Sequence, residues 1–132
     1  MKISRATPKE LEPFFAAASV RKAQGIIALD LRGKSSLADF AVIMSGRSSR
    51  QVSAIALAIE RYLKDLGIKA LGMEGSTEGQ WVLLDYGNVI VHVFYESTRF
   101  FYDLEGLWPD AARYQPAIKQ DPAEPEDEQD IK

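Results

Sequence analysis

The 132-residue sequence contains no cysteine and only one histidine, His92. The absence of cysteine excludes disulfides, thiolate metal sites and cysteine nucleophiles, and a single histidine excludes a histidine-rich metal cage. No apolar run approaches the roughly 18 residues that a membrane-spanning helix needs, and Met1 is not followed by the apolar segment of a secretory signal. We therefore expect a soluble, cytoplasmic protein that needs no cofactor.

Charge is distributed unevenly, although the net charge is only −3. Residues 120–132 contain six acidic residues and one basic residue, whereas residues 1–119 contain 15 basic and 13 acidic residues. The body of the chain is close to neutral, which argues against a surface that binds specific DNA. Because prolines accumulate among these acids, we predict a domain over 1–109 and a disordered acidic tail over 110–132.

The spacing of apolar residues and turn signals predicts the element order α-β-β-α-β-β-β-α. The first helix begins at Thr7 or, because Pro13 lacks an N–H donor, nearer Pro13, and it ends near Gln24. The link between the first two strands is too short for a crossover helix, so they are antiparallel, whereas the third runs parallel to the second. The expected fold class is α/β (α+β), with a mixed five-stranded sheet and flanking helices. The predicted strands cover 26–29, 39–44, 69–73, 80–85 and 89–95, and the later helices cover 48–66 and 97–108.

Some segments are similar to parts of catalytic sites. The turn Gly46–Ser49 opens the longest helix, where Arg47 and Arg50 either contact an anion such as a phosphate or are merely solvated. A nucleotide-binding or nucleotidyltransferase-like enzyme is therefore the alternative function. However, Gly33-Lys34-Ser35 lacks the earlier glycine of a P-loop, and no carboxylate pair for a two-metal site follows the turn. His92 has no orienting acid nearby, so we interpret it as a structural or contact residue rather than a catalytic base.

Trp81 lies on a predicted strand whose successive side chains point to opposite sides of the sheet. Trp81, Leu83 and Asp85 share one side, and Val82 and Leu84 share the other. The pattern leaves two alternatives open, because Trp81 either belongs to the core or stands on an exposed face. On an exposed face, an aromatic anchor beside a carboxylate is typical of an interface with a basic partner.

Several blocks of the sequence, taken in order, resemble the signature segments of the ribosomal silencing factor family, also called the Iojap family. The resemblance implies a fold like that of the nucleotidyltransferase superfamily without its catalytic carboxylates, and a protein that is not an enzyme. It also implies binding to the large ribosomal subunit through large-subunit ribosomal protein fourteen. Such binding blocks association with the small subunit and represses translation when nutrients are short, and several family members form homodimers. The similar blocks are Asp30–Phe40, Ser45–Val52, Gly72–Gly75, Trp81–Phe94 and Tyr102–Trp108.

The resemblance further implies which residues form the interface. Trp81 matches the tryptophan at the family's ribosomal-protein interface, which favours the exposed alternative, and Leu83 and Asp85 follow on the same face. Glu74 and His92 are further candidates. We expect Trp81→Ala to weaken binding by at least about 2 kcal/mol, and to leave the free energy of unfolding nearly unchanged if the ring is exposed.

Overall fold

The computed structural model describes residues 7–117. Helices α1, α2 and α3 cover Glu12–Ser19, Ser49–Asp65 and Glu96–Tyr102. Strands β1 to β6 cover Gln24–Asp30, Phe40–Gly46, Gly72–Glu74, Trp81–Asp85, Val89–Tyr95 and Arg113–Tyr114. Two short 3-10 helices lie at Lys9–Leu11 and Leu104–Leu107.

The strands form one sheet in the order β3-β4-β5-β2-β1-β6. Strands β2 and β5 are parallel, and every other neighbouring pair is antiparallel. The predicted fold class, a mixed sheet with flanking helices, is therefore confirmed, as are the antiparallel β1–β2 pair and the β4–β5 hairpin. The likeness to the nucleotidyltransferase superfamily stays a prediction.

The predicted number of five strands is wrong, because six strands are present among the described residues. The additional strand is β6, which pairs with Ala28 and Leu29 of β1 and buries Tyr114. A two-residue strand shows too little alternation for a sequence pattern to reveal it. The sheet thus includes Arg113 and Tyr114, which lie within the predicted acidic tail. The remainder of that predicted tail, residues 118–132, lies outside the described residues.

The strand predicted over 69–73 is displaced towards its carboxyl end. Strand β3 begins only at Gly72, and Leu71 before it is exposed, although its N–H donates to the Asp85 carbonyl oxygen at 2.7 Å. As predicted, β3 runs parallel to β2, but β4 and β5 lie between them. Local alternation does not specify the neighbour of a strand, because pairing is decided by packing across the sheet.

The helix boundaries follow from capping and from proline. Helix α1 carries Pro13 in its first turn, which confirms the later of the two predicted starts, but it ends at Ser19 because Gln24 already pairs with Ser45 of β2. At the start of α2, the Ser48 hydroxyl accepts a hydrogen bond from the N–H of Gln51 at 3.0 Å, as an N-cap should.

The two faces of the sheet are covered very differently. Helices α1 and α2 pack on one face and form the main core with Phe40, Val42, Val82, Leu84 and Val91, among others. The opposite face carries a smaller cluster in which the chain after α3 covers Leu29, Ala41, Ile43 and Phe94 through Leu104, Trp108 and Ala111.

Candidate functional site

The register of the strands gathers the five predicted interface residues on one face. Glu74 pairs with Leu83, and Leu83 pairs with His92. Trp81 and Asp85 lie two residues on either side of Leu83, so they point in the same direction as Leu83. This surface lies opposite the helices α1 and α2. We call it the Trp81 face and define it as Glu74, Trp81, Leu83, Asp85, Ile90 and His92.

The two sides of β4 differ in their exposure to solvent. Val82 and Leu84 are completely buried beneath the helices, whereas Trp81, Leu83 and Asp85 are each half-buried. The Trp81 face is therefore the accessible side of this strand. Trp81 itself fits neither of the two simple alternatives, because one part of its ring packs in the smaller cluster while the rest meets solvent.

The indole of Trp81 is held in place by three aromatic side chains. Its Nε1 donates a hydrogen bond to Nδ1 of His92 at 3.1 Å. Its ring centroid lies 4.8 Å from that of Phe94 and 5.0 Å from that of Tyr102, both within the range of favourable aromatic contacts. The accessible part of the tryptophan is thus presented in one fixed orientation.

His92 supports Trp81 and is not arranged for acid–base chemistry. The side chain is only 8% exposed, and burial lowers its pKa to about 4. The ring is therefore neutral at pH 7, with Nδ1 accepting from Trp81 and the proton on Nε2. The sequence leaves a structural and a contact role open for His92, and the burial indicates that it contributes to a surface mainly by orienting Trp81.

Helix α3 adds an aromatic patch that sequence analysis missed. Phe100 is 88% exposed, Phe101 77% and Tyr102 53%, and Leu107 nearby is 65% exposed. Tyr102 contacts Trp81, so the patch continues the Trp81 face. The signal was present in the sequence, because three consecutive aromatic residues on a helix are about 100° apart and cannot all face one sheet.

The charged side chains of this surface are acidic. Glu74 and Asp85 lie on the Trp81 face, and strands β3, β4 and β5 contain no lysine or arginine. The neighbouring Arg99 is neutralised by Glu105, whose Oε2 lies 3.0 Å from its Nη2. An apolar and acidic surface is complementary to a basic partner with exposed apolar groups.

At the turn before α2, side chains of the chain itself occupy the space and the hydrogen-bond donors that an anion would need. The backbone N–H of Arg47 donates to Oε1 of Gln51 at 2.6 Å. In the amide orientation that satisfies both groups, the Gln24 oxygen accepts from Nε and Nη2 of Arg47 at 2.8 and 3.0 Å. A methyl group on Gly46 would already lie 3.1 Å from the Val52 side chain, so no open cradle adjoins this turn. Arg50 is exposed, and an anion contact by either arginine stays a prediction.

Two other kinds of feature are absent from residues 7–117. No group of three or more histidine or acidic side chains in this range is placed to hold a metal ion. No helix in the same range is long and apolar enough to cross a membrane.

A family model described as "Ribosomal silencing factor during starvation" matches residues 4–132. The chain belongs to this family. The predicted resemblance is thereby confirmed. A ribosomal silencing factor of Bacillus subtilis is 46% identical over 96 residues, which cover 73% of this chain and 81% of that protein.

The chain is also similar to organellar proteins and to solved structures. The chloroplast Iojap protein of Zea mays is 34% identical over 98 residues, covering 72% of this chain and 41% of that protein. A mouse protein named for mitochondrial assembly of the large ribosomal subunit is 32% identical over 73 residues, covering 53% and 32%. A crystal structure from Chromobacterium violaceum aligns with a TM-score of 0.70 at 36% identity, covering 83% of this chain and 89% of that one.

Proposed function

We propose that the chain represses translation by binding the large ribosomal subunit at ribosomal protein fourteen and blocking its association with the small subunit in the cytoplasm, above all when nutrients are limiting. The observation that carries this proposal is the fixed, half-buried Trp81 at the centre of an accessible apolar and acidic face. Membership of the ribosomal silencing factor family supports a regulatory role rather than an enzymatic one.

The aromatic residues supply the anchor of the proposed interface. Binding energy concentrates in a few large, well-packed side chains near the centre of an interface, with tryptophan and tyrosine prominent among them. Trp81 is orientated before binding by His92 and Phe94, so little conformational entropy is lost when a partner covers it. Phe101 and Tyr102 extend the apolar surface beside it.

The acidic residues supply selectivity. Glu74 and Asp85 suit a partner that is rich in lysine and arginine, as a ribosomal protein is. A steric block needs no bond to be made or broken, and it requires only that the bound chain occupy the surface where the small subunit docks. The same apolar surface is a natural contact for a second copy, so we also propose a homodimer in the absence of ribosomes.

The proposal is tested by two measurements on the full chain. Light scattering of mixed small and large subunits should show less association as the chain is added. Calorimetric titration with purified protein fourteen should show binding that weakens in Glu74→Gln and Asp85→Asn. The matched control is Glu12→Gln, which removes the same charge from the exposed side of α1 and should bind like the wild type. Unchanged subunit association, or equal binding by all three variants, would contradict the proposal.

A further inference from the structure

Helix α3 buries none of its residues 96–102. Thr98 and Arg99 are its partly buried residues, and the three aromatic residues that follow are exposed. The Thr98 hydroxyl donates to Oε1 of Gln80 at 2.9 Å, but this hydrogen bond is open to water. A helix of seven residues is not stable by itself and ordinarily depends on packing an apolar face. Polar contacts must therefore fix α3, and with it the aromatic patch beside Trp81.

Arg99 supplies these contacts through its guanidinium group. Its Nε and Nη2 donate to Oε2 of Glu105 at 3.2 and 3.0 Å, and its Nη1 donates to the Ser45 hydroxyl at 3.2 Å. The Arg99 side chain is only 17% exposed, so the ion pair is screened less than one on the surface would be. Ser45 lies on β2 and Glu105 on the 3-10 helix after α3. One side chain thus joins α3 to the sheet and to the segment that follows it.

The neighbouring strand β1 leaves room for this guanidinium. The register of β1 against β2 is irregular between Gln24 and Ile27, and Gly25 within this stretch has φ +59°. A Cβ at Gly25 would lie only 2.7 Å from Nη1 of Arg99. The Ser45 hydroxyl, which accepts from Arg99, donates in turn to the Gln24 carbonyl oxygen at 3.4 Å. The backbone of β1 and the hydroxyl of β2 therefore form the site that receives Arg99.

The spacing along α3 connects Arg99 to the aromatic patch. Tyr102 lies three residues after Arg99 and therefore on the same side of the helix. The Tyr102 ring centroid is 5.0 Å from that of Trp81 and 5.1 Å from that of Phe101. A displacement of Arg99 would consequently move both aromatic rings relative to Trp81.

We propose that Arg99 is a positioning residue, which holds the aromatic patch of α3 beside Trp81 in the orientation that a partner binds. It does so through its contacts with Ser45 and Glu105. This inference rests on the proposed function, in which the partner is a basic ribosomal protein. Charge alone predicts the opposite effect, because removing a base from an acidic surface should strengthen the attraction of a basic partner. Weaker binding without Arg99 therefore reports position rather than charge.

Nuclear Overhauser measurements on the free, full chain test the positioning role itself. In the wild type we expect cross-peaks from the Trp81 ring to Phe94 and Tyr102, whose centroids lie 4.8 and 5.0 Å away. Arg99→Gln should lose the cross-peaks to Tyr102 and keep those to Phe94, which lies on β5 and reports that the sheet is folded. Arg99→Lys keeps the charge without the planar fork, so it should weaken the Tyr102 cross-peaks and replaces Arg99→Gln if that variant does not fold. Unchanged Tyr102 cross-peaks in these variants would overturn the proposal.

Calorimetric titration with purified ribosomal protein fourteen tests the consequence for binding. Arg99→Gln and Glu105→Ala change the surface charge in opposite directions, but both break the ion pair, so each should weaken binding about tenfold. The controls Arg61→Gln and Glu12→Gln remove the same two charges from exposed positions on α2 and α1 and should bind like the wild type. In a Phe101→Ser background, where the patch is already disrupted, Arg99→Gln should weaken binding by no more than about threefold.

Three results of the titration would be decisive. Tighter binding by Arg99→Gln with weaker binding by Glu105→Ala would give the pair a purely electrostatic role and overturn the proposal. A tenfold loss that is undiminished in Phe101→Ser would show that Arg99 acts independently of the aromatic patch, which would also overturn it. Absence of wild-type binding would refute the proposed function alone, because the Tyr102 cross-peaks of the free chain still decide the role of Arg99.

Discussion

Trp81 and His92 act as one unit. The hydrogen bond between Nε1 and Nδ1 links two residues on neighbouring strands, and the pair stacks on Phe94. The alternation of β4 predicted that Trp81, Leu83 and Asp85 share a side, but not that this side is accessible. Whether this side is accessible depends on where the chain after α3 packs, and no local sequence pattern specifies that packing. The family resemblance pointed to the accessible side, while the half-buried ring was visible only in the structure.

Replacing Trp81 should lower stability as well as binding. Trp81→Ala removes contacts with Phe94 and Tyr102, so we expect a loss of about 2 kcal/mol in the free energy of unfolding, less than the 3–5 typical of a fully buried aromatic residue. Trp81→Phe keeps most of the packing and should lose about 1 kcal/mol with the hydrogen bond. Urea unfolding measures both. A Trp81→Ala variant as stable as the wild type would show that the ring is not packed as described.

Acid should destabilise the fold through His92. Burial lowers the folded-state pKa from 6.5 to about 4, so the unfolded chain binds more protons between these values. Stability contributed by neutral His92 is present above pH 6.5 and decreases as the pH falls towards 4, by up to about 3 kcal/mol. Urea unfolding at pH 7 and pH 4 should show this loss in the wild type and a smaller one in His92→Gln. An equal loss in both would assign the acid sensitivity to other groups.

Helices and long strands were predictable where capping and periodicity agree. Helix α2 has its N-cap at Ser48 and an apolar stripe through Val52, Ile55, Ile59 and Leu63, all of which are buried. The short edge strands β3 and β6 were misplaced or missed, since they are held by pairing with β4 and β1 rather than by their own pattern. The exposure of α3 was likewise missed, although three consecutive aromatic residues on a helix cannot all face one sheet.

The loop before β4 is fixed by close contact with α2. Gly79 has φ +69° and sits against the backbone of Ser49, and the Ser53 hydroxyl donates to the Ser76 carbonyl at 2.7 Å. A methyl group at Gly79 would overlap the Ser49 carbonyl oxygen. These contacts fix the position of the loop relative to the start of α2. Trp81 follows the loop as the first residue of β4, so its position is fixed as well.

Alanine at Gly79 should be more destabilising than alanine at a glycine with the same backbone and open surroundings. Gly33 has φ +80° and nothing within 4 Å of its missing Cβ, so Gly33→Ala should cost only about 1 kcal/mol of left-handed strain. Gly79→Ala adds the steric overlap and should lose about 2–4 kcal/mol. Thermal unfolding of the two variants compares them directly. Equal losses would indicate that the loop moves away from α2 without penalty.

Charge and apolar surface divide the chain into two opposite sides. One side has the acidic Trp81 face with the α3 aromatics, and the other has α1 and α2, which carry side chains of both charges. The net charge does not indicate this division, because the basic and acidic residues of 1–119 are nearly equal in number. Only the folded arrangement brings Glu74 and Asp85 together on a face whose strands β3, β4 and β5 contain no lysine or arginine.

The proposed interface is tested most directly by co-sedimentation with purified large ribosomal subunits. We expect wild type and the control Leu66→Ser, which alters an exposed apolar residue at the end of α2, to pellet equally with the subunit. Trp81→Ala and Phe101→Ser, each first shown to be folded, should lose about 2 kcal/mol of binding, or roughly thirtyfold in affinity. Folded Trp81→Ala and Phe101→Ser that pellet as well as the wild type would contradict the assignment of the Trp81 face as the ribosome-binding surface.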